Sequence, residues 1–222
     1  MLHSPALDDL GLKHGTDKSS GPKGHDFLRK YEFFLAPLRD ADFTFLELGV
    51  FMGASLRVFG EYFSRAKIVG ADNNPQVRSF DVGRAEVVVG DLADHDFLTT
   101  LAALGAKVVL DDASHWWPDQ LRALGVLYPS LGPGSVYILE DVHTSFEPLA
   151  PHFSVGARYS PFYLVTKIAE YMTGNDRPSP VIPGKNLVPL KRDESLDSEI
   201  RALADLTDAV VFIERACVLI RK

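Results

Sequence analysis

A single cysteine, Cys217, occurs in the 222 residues. No internal disulfide can therefore hold the fold, and because Cys217 falls in an apolar run it reads as a small core residue. Nowhere does an apolar run reach the roughly eighteen residues of a membrane-spanning helix. The N-terminus also lacks a basic stretch followed by an apolar core, so neither a span nor a secretion signal is expected and the chain reads as cytoplasmic. Positive charge is in deficit: 23 Lys and Arg against 30 Asp and Glu give a formal net charge of −7, and no Lys/Arg stripe reverses it locally. A nucleic-acid backbone is a poor partner for such a chain, and a small molecule a better one. Repeats, low-complexity tracts and a convincing linker are missing as well. With 46% apolar residues, one domain over 1–222 can bury a full core.

What is present is organised around Phe45-Leu46-Glu47-Leu48-Gly49-Val50-Phe51-Met52-Gly53-Ala54-Ser55-Leu56, an apolar run, a glycine turn and the start of helical spacing. Glycines at 49 and 53 let a ligand approach the backbone, and the helix start offers unpaired amide donors. A dinucleotide fold wants GxGxxG for a pyrophosphate. Here the spacing is ExGxxxG, and Glu47 at the strand end would repel a diphosphate while suiting a cationic ligand. The pattern resembles motif I of class I S-adenosylmethionine (SAM) methyltransferases, and a plain strand-turn-helix corner is the alternative.

Residues 1 to 24 lack apolar periodicity and read as a loop or arm; His25 to Leu38 repeats at three and four and reads as an amphipathic helix. The two make up an N-terminal arm and helix, 1–40. Further strands are expected at Lys67 to Asp72, Ala85 to Asp91, Lys107 to Asp112 and Ser135 to Asp141, separated by helical segments. This alternation predicts a doubly wound, mostly parallel α/β sheet of Rossmann-like type, with every strand end on one edge. Asp72 lies about 20 residues beyond the glycine turn, where a ribose-binding carboxylate belongs. Asp91 follows as an adenine contact. Residues 142–195 read as a loop or lid insertion that includes a helix from Phe162 to Met172 and a long loop from Thr173 to Arg192, suited to a lid, a binding loop or a contact in a homo-oligomer. A helix from Leu196 to Leu206 and an antiparallel pair, 209–214 with 216–220, close the chain.

The fourth and fifth strands end in Asp111-Asp112-Ala113-Ser114-His115 and Glu140-Asp141. Clustered carboxylates repel one another and lose hydration, so a cation is the natural counter-charge, and an oxygen-dominated set suits Mg²⁺. Neighbouring strand residues point to opposite sides, so Asp111 is expected to leave the cleft to Asp112 and to cap the next helix. His115, three residues beyond Asp112, fits a general base, with His143 a weaker competitor. Trp116 and Trp117 read equally as a wall for the acceptor and as core.

DDASH at 111–115 and LEDVHTSF at 139–146, downstream of FLELGVFMGASL and the GTDK arm at 15–18, resemble the metal-dependent sugar O-methyltransferases of macrolide biosynthesis, the mycinamicin and macrocin type, over about residues 11 to 146. Two departures stand out: family members often carry a large N-terminal domain, and Leu92 replaces a polar residue after Asp91. The resemblance implies Mg²⁺ ligands at Asp112, Glu140 and Asp141 and a base at His115. SAM would bind through Glu47, Gly49, Gly53, Asp72 and Asp91, with Thr16, Asp17 and Lys18 either closing over the site or remaining a solvated arm. The expected activity is SAM-dependent, Mg²⁺-assisted O-methylation of a sugar or vicinal diol on a glycosylated or polyhydroxylated natural product. A nicotinamide-dependent oxidoreductase and a SAM-binding module without catalysis are the rival readings.

Overall fold

The structure is a computed structural model and describes residues 6–173 and 194–222. The elements in order are α1 (Leu7–His14), α2 (Phe27–Leu35), β1 (Thr44–Leu48), α3 (Ala54–Tyr62), β2 (Lys67–Asp72), β3 (Glu86–Val89), α4 (His95–Ala102), β4 (Val108–Asp111), α5 (Trp117–Ser130), β5 (Val136–Leu139), α6 (Ala150–Phe153), α7 (Pro161–Met172), α8 (Glu194–Leu206), β6 (Thr207–Ile213) and β7 (Ala216–Arg221). Seven strands form one sheet in the order β3-β2-β1-β4-β5-β7-β6. The first five run parallel, and β7 lies antiparallel to both β5 and β6. This is the expected doubly wound sheet with its closing hairpin. Among the described residues no helix is long and apolar enough to cross a membrane.

Strand alternation divides the core into two layers. Leu46, Leu48, Val109, Tyr137 and Leu139 face α4, α5, α7 and α8. Phe45, Ile68, Leu110 and Ile138 face α1, α2 and α3, where Leu7, Leu28, Tyr31 and Phe59 meet them. Cys217 is buried in the first layer, as its apolar context predicts. The register brings Leu48 level with Ala71 on one side and Asp111 on the other, and Asp111 level with Leu139. Backbone bonds carry the ladder one residue further, from the Asp112 amide to the Leu48 carbonyl (3.0 Å) and from the Glu140 amide to the Asp111 carbonyl (3.0 Å). Gly49, Asp72, Asp112 and Glu140 thus leave the sheet along one edge.

The N-terminal segment departs from the expected loop. Residues 7–14 form α1, whose Leu7 and Leu10 are buried against the sheet. Asp8, also buried, accepts a hydrogen bond from the Ser20 amide (2.8 Å) and so ties the helix to the turn that follows it. That turn is fastened to α2, with the His25 amide donating to the Asp17 carbonyl (2.7 Å) and the Phe27 amide to the Lys18 carbonyl (2.8 Å). Residues 142–159, the start of the expected loop or lid insertion, hold a 3-10 turn at Val142–Ser145 and the single-turn α6. The expected loop from Thr173 to Arg192 lies, from residue 174 on, outside the described residues.

Candidate active site

A cavity of about 580 Å³ opens at the edge where the parallel strands end. Its size suits a cofactor or substrate, and its position outside the switch point between β1 and β4 is where open α/β sheets bind ligands. Gly49, Val50, Phe51, Ala54, Ser55, Asp72, Asp91 and Leu92 line one part. Asp112, His115, Glu140 and Asp141 line another, and Gly15 to Lys18 of the N-terminal arm close over both.

Gly49 has φ +90°, and a Cβ there would come within 2.2 Å of the Asp112 carbonyl oxygen. The two halves of the site are packed so closely that only glycine fits between them. Gly53, at φ +76°, is the N-cap of α3 and packs against Asp81 and Val82. It shapes the turn without reaching the cavity wall. Asp72 accepts from the Val50 amide (2.8 Å) and the Phe51 amide (3.3 Å) through one oxygen and from the Asn74 amide (2.8 Å) through the other. It therefore holds the glycine loop in place besides facing the cavity. Asp91 faces the cavity while accepting from the Ala93 amide (2.8 Å). Glu47 is fully buried beneath the cavity and does not line it. Burial pushes its carboxyl up to about 7, against the pull of Lys18 and the Ser55 hydroxyl.

Asp112 and Asp111 part as alternation requires. Asp112 enters the cavity, while Asp111 is buried on the opposite face, where it accepts from the Tyr137 hydroxyl (2.8 Å). Asp111 does not cap α5, whose N-cap is Trp116. Burial, partly offset by the Tyr137 hydrogen bond, raises its carboxyl to about 7. His115 Nε2 lies 3.3 Å from Asp141 Oδ2 and 3.8 Å from Asp112 Oδ1. Both His115 and Asp141 hold left-handed backbone, each at φ +56°, an uncommon conformation for a histidine that marks functional sites when the surrounding structure enforces it. His143 Nδ1 approaches Asp141 Oδ1 to 3.5 Å but does not line the cavity. Its imidazole is pushed below the usual histidine range by burial, against the attraction of Asp141. Trp116 is exposed, and Trp117 faces a separate pocket beside Tyr159 and Tyr163. Neither lines the main cavity.

Ligand atoms of Asp112, His115 and Asp141 lie within 4.8 Å of one another. Glu140 is turned toward Lys18 instead, whose Nζ lies 3.3 Å from Glu140 Oε2, 3.9 Å from Glu47 Oε1 and in contact with Asp112 Oδ2. Burial alone would push the Lys18 ammonium down, but Asp112, Glu140 and Glu47 outweigh it and hold it well above the usual lysine range. Glu140 is raised by burial and by Asp112. Two buried oxygens of residues lining the cavity, Glu140 Oε1 and Asp141 Oδ1, have no hydrogen-bond partner among the described residues. An unpartnered buried carboxylate oxygen, together with the converging atoms of Asp112, His115 and Asp141, is a fit for a hard cation.

No family model matches the chain. Over 153 residues, 65% of its length, it is 37% identical to an 8-demethyl-8-alpha-L-rhamnosyl tetracenomycin-C 2'-O-methyltransferase of Streptomyces olivaceus, of which the match covers 39%. A demethylmacrocin O-methyltransferase of Streptomyces fradiae is 30% identical over 65% of this chain and 38% of its own. The chain thus spans about two fifths of the length of the curated relatives it matches. Among solved structures, MycE methyltransferase from the mycinamycin biosynthetic pathway, in complex with Mg and SAH, superposes with a TM-score of 0.77 at 21% identity, covering 99% of this chain and 54% of that one. The chain therefore has the class I methyltransferase fold, and its curated relatives are sugar O-methyltransferases of the tetracenomycin, mycinamicin and macrocin type.

Proposed function

We propose that the chain is a SAM-dependent, divalent-metal-assisted O-methyltransferase acting on a hydroxyl of a sugar or other vicinal diol of a glycosylated natural product. The observation that carries this is one cavity lined on one side by the glycine loop, Asp72 and Asp91 and on the other by Asp112, His115, Glu140 and Asp141. When bound, SAM supplies an electrophilic methyl group, and Mg²⁺ supplies the charge that makes an acceptor hydroxyl more acidic. In this reading Asp72 and Asp91 hold the ribose and adenine, Gly49 gives the backbone access, and Glu47 and Gly53 act from behind the wall by fixing the loop. Asp112, Asp141 and the free oxygen of Glu140 hold the metal. His115 removes the acceptor proton, and the arm from Gly15 to Lys18 excludes water.

A second reading is favoured by the position of His115 Nε2 among the Asp112 and Asp141 oxygens: His115 is a third metal ligand in place of Glu140. His115→Ala separates the two, because a base leaves metal affinity intact and a ligand does not. The nicotinamide-dependent oxidoreductase is disfavoured by the glycine spacing, and a catalytically silent module by the intact acidic and histidine set. Residues 1–222 make one methyltransferase domain in this proposal. It works in the cytoplasm on a small molecule, as a monomer or homo-oligomer, without nucleic-acid or membrane partners. The test is a titration with SAM and with NADH, followed by a methyl-transfer screen against glycosylated natural products, catechols and simple sugars. SAM binding and transfer to a glycosylated acceptor are expected; NADH binding without SAM binding overturns the proposal.

A further inference from the structure

Glu47, Asp112 and Glu140 leave three different strands with the same alternation as Phe45, Leu110 and Ile138, so all three point to the face covered by α1 and α2. Lys18 comes down onto them from that face. Its residue is only 3% exposed, and its Nζ reaches a carboxylate from every one of the three strands. Its backbone is fixed where α2 begins, with its carbonyl accepting from the Phe27 amide (2.8 Å) and the Leu28 amide (3.1 Å). A lysine used only to fill space would be replaced at less cost by an apolar residue, because a buried ammonium needs compensating charge. Here the compensation runs both ways. Three carboxylates meet this one ammonium, and Asp141, turned to His115 Nε2 at 3.3 Å, adds another acid to the same cavity, where a further cation can be drawn.

We propose that Lys18 is the built-in counter-cation of this acidic edge: a positioning residue that holds Asp112 and Glu140 at the strand ends and competes with a divalent ion for them, thereby setting the affinity of the metal site. The inference rests on the metal-assisted reading above only for its second half. The first half concerns the ion-free protein, where Lys18 keeps three converging carboxylates from driving the edge apart. Asp112 is the shared group, since it touches Lys18 through Oδ2 and faces His115 through Oδ1. Glu140 is divided in the same way, with Oε2 on Lys18 and Oε1 unpartnered.

The experiment compares the wild type with Lys18→Met, Glu140→Gln and the double variant at pH 8, by thermal melting in EDTA and by Mn²⁺ binding read from the electron paramagnetic resonance of free Mn²⁺. Lys18→Met is expected to melt several degrees lower in EDTA, and Glu140→Gln in the same chain to restore much of that loss. If Lys18→Met does not fold in EDTA, recovery of the fold by Glu140→Gln or by Mn²⁺ supports the proposal, and recovery by neither overturns it. The folded Lys18→Met protein is expected to bind Mn²⁺ roughly tenfold tighter or more, because a unit positive charge beside the ion has gone. Unchanged or weaker Mn²⁺ binding overturns the competition, and equal EDTA melting of wild type and Lys18→Met overturns the counter-charge. A wild type that binds no Mn²⁺ at all contradicts the metal-assisted reading instead, and leaves the melting comparison to decide the role of Lys18.

Discussion

At the scale of single residues, the proposed chemistry separates into groups that hold and one group that moves a proton. His115→Ala is expected to bind SAM normally and to lose about 10²–10⁴-fold in kcat/KM, the usual contribution of a general base. Near-wild-type rates in the variant exclude the base role, and a collapse confined to His143→Ala transfers it to the loop after β5. Asp72→Ala should weaken SAM binding by about 1–3 kcal/mol if ribose hydroxyls are left unpaired, and calorimetry reads this directly. Because Asp72 also accepts from the Val50 and Phe51 amides, the variant should lose order in the glycine loop as well. Asp111 contributes to stability rather than to the cavity. Its carboxyl stands at about 7 in the fold against an ordinary value of 3.8, so the folded chain holds a proton there that the unfolded chain gives up. Stability from this group is full below about pH 4 and falls as the pH rises toward 7. Asp111→Asn, which keeps an acceptor for Tyr137, should therefore gain stability over the wild type across that interval in pH-resolved denaturation. A constant difference between the two contradicts the buried, proton-holding Asp111.

At the scale of elements, the sheet was legible because each parallel strand is an apolar run that stops at an acidic residue or a glycine, and because helical spacing fills the intervals. The parting of Asp111 from Asp112 followed from alternation alone, although the capping role expected of Asp111 did not hold. The helix α1 was not legible: its eight residues carry few apolar side chains, and its fit depends on the buried Asp8 bonding to Ser20, a contact between segments that periodicity does not record. The role of Lys18 was hidden for a related reason. Its carboxylate partners come from residues 47, 112 and 140, and a lysine in a polar stretch reads by default as solvated. The missing counter-charge of the acidic ends was visible in the sequence, but it pointed to a metal, and the structure adds an ammonium from the arm. Gly49 is where the two halves of the site meet most tightly. Gly49→Ala forces both a positive φ and a Cβ against the Asp112 carbonyl, so it should destabilise the fold by about 1–3 kcal/mol and weaken SAM binding. A variant with wild-type melting and SAM affinity would show that the two loops can part.

At the scale of the whole molecule, the switch point between β1 and β4 gathers the ends of the five parallel strands around one cavity, and the N-terminal arm covers it from the side of α1 and α2. The fold and the relatives are shared with longer proteins, of which this chain spans about two fifths in the curated matches, so the activity has to be measured on this chain itself. The most direct measurement is methyl transfer from labelled SAM to a glycosylated acceptor by protein treated exhaustively with EDTA, before and after Mg²⁺ is returned. Loss of transfer on chelation and recovery with Mg²⁺ is the predicted result. Full transfer by the chelated protein would contradict the metal role of Asp112, Glu140 and Asp141 while leaving SAM binding at the glycine loop standing.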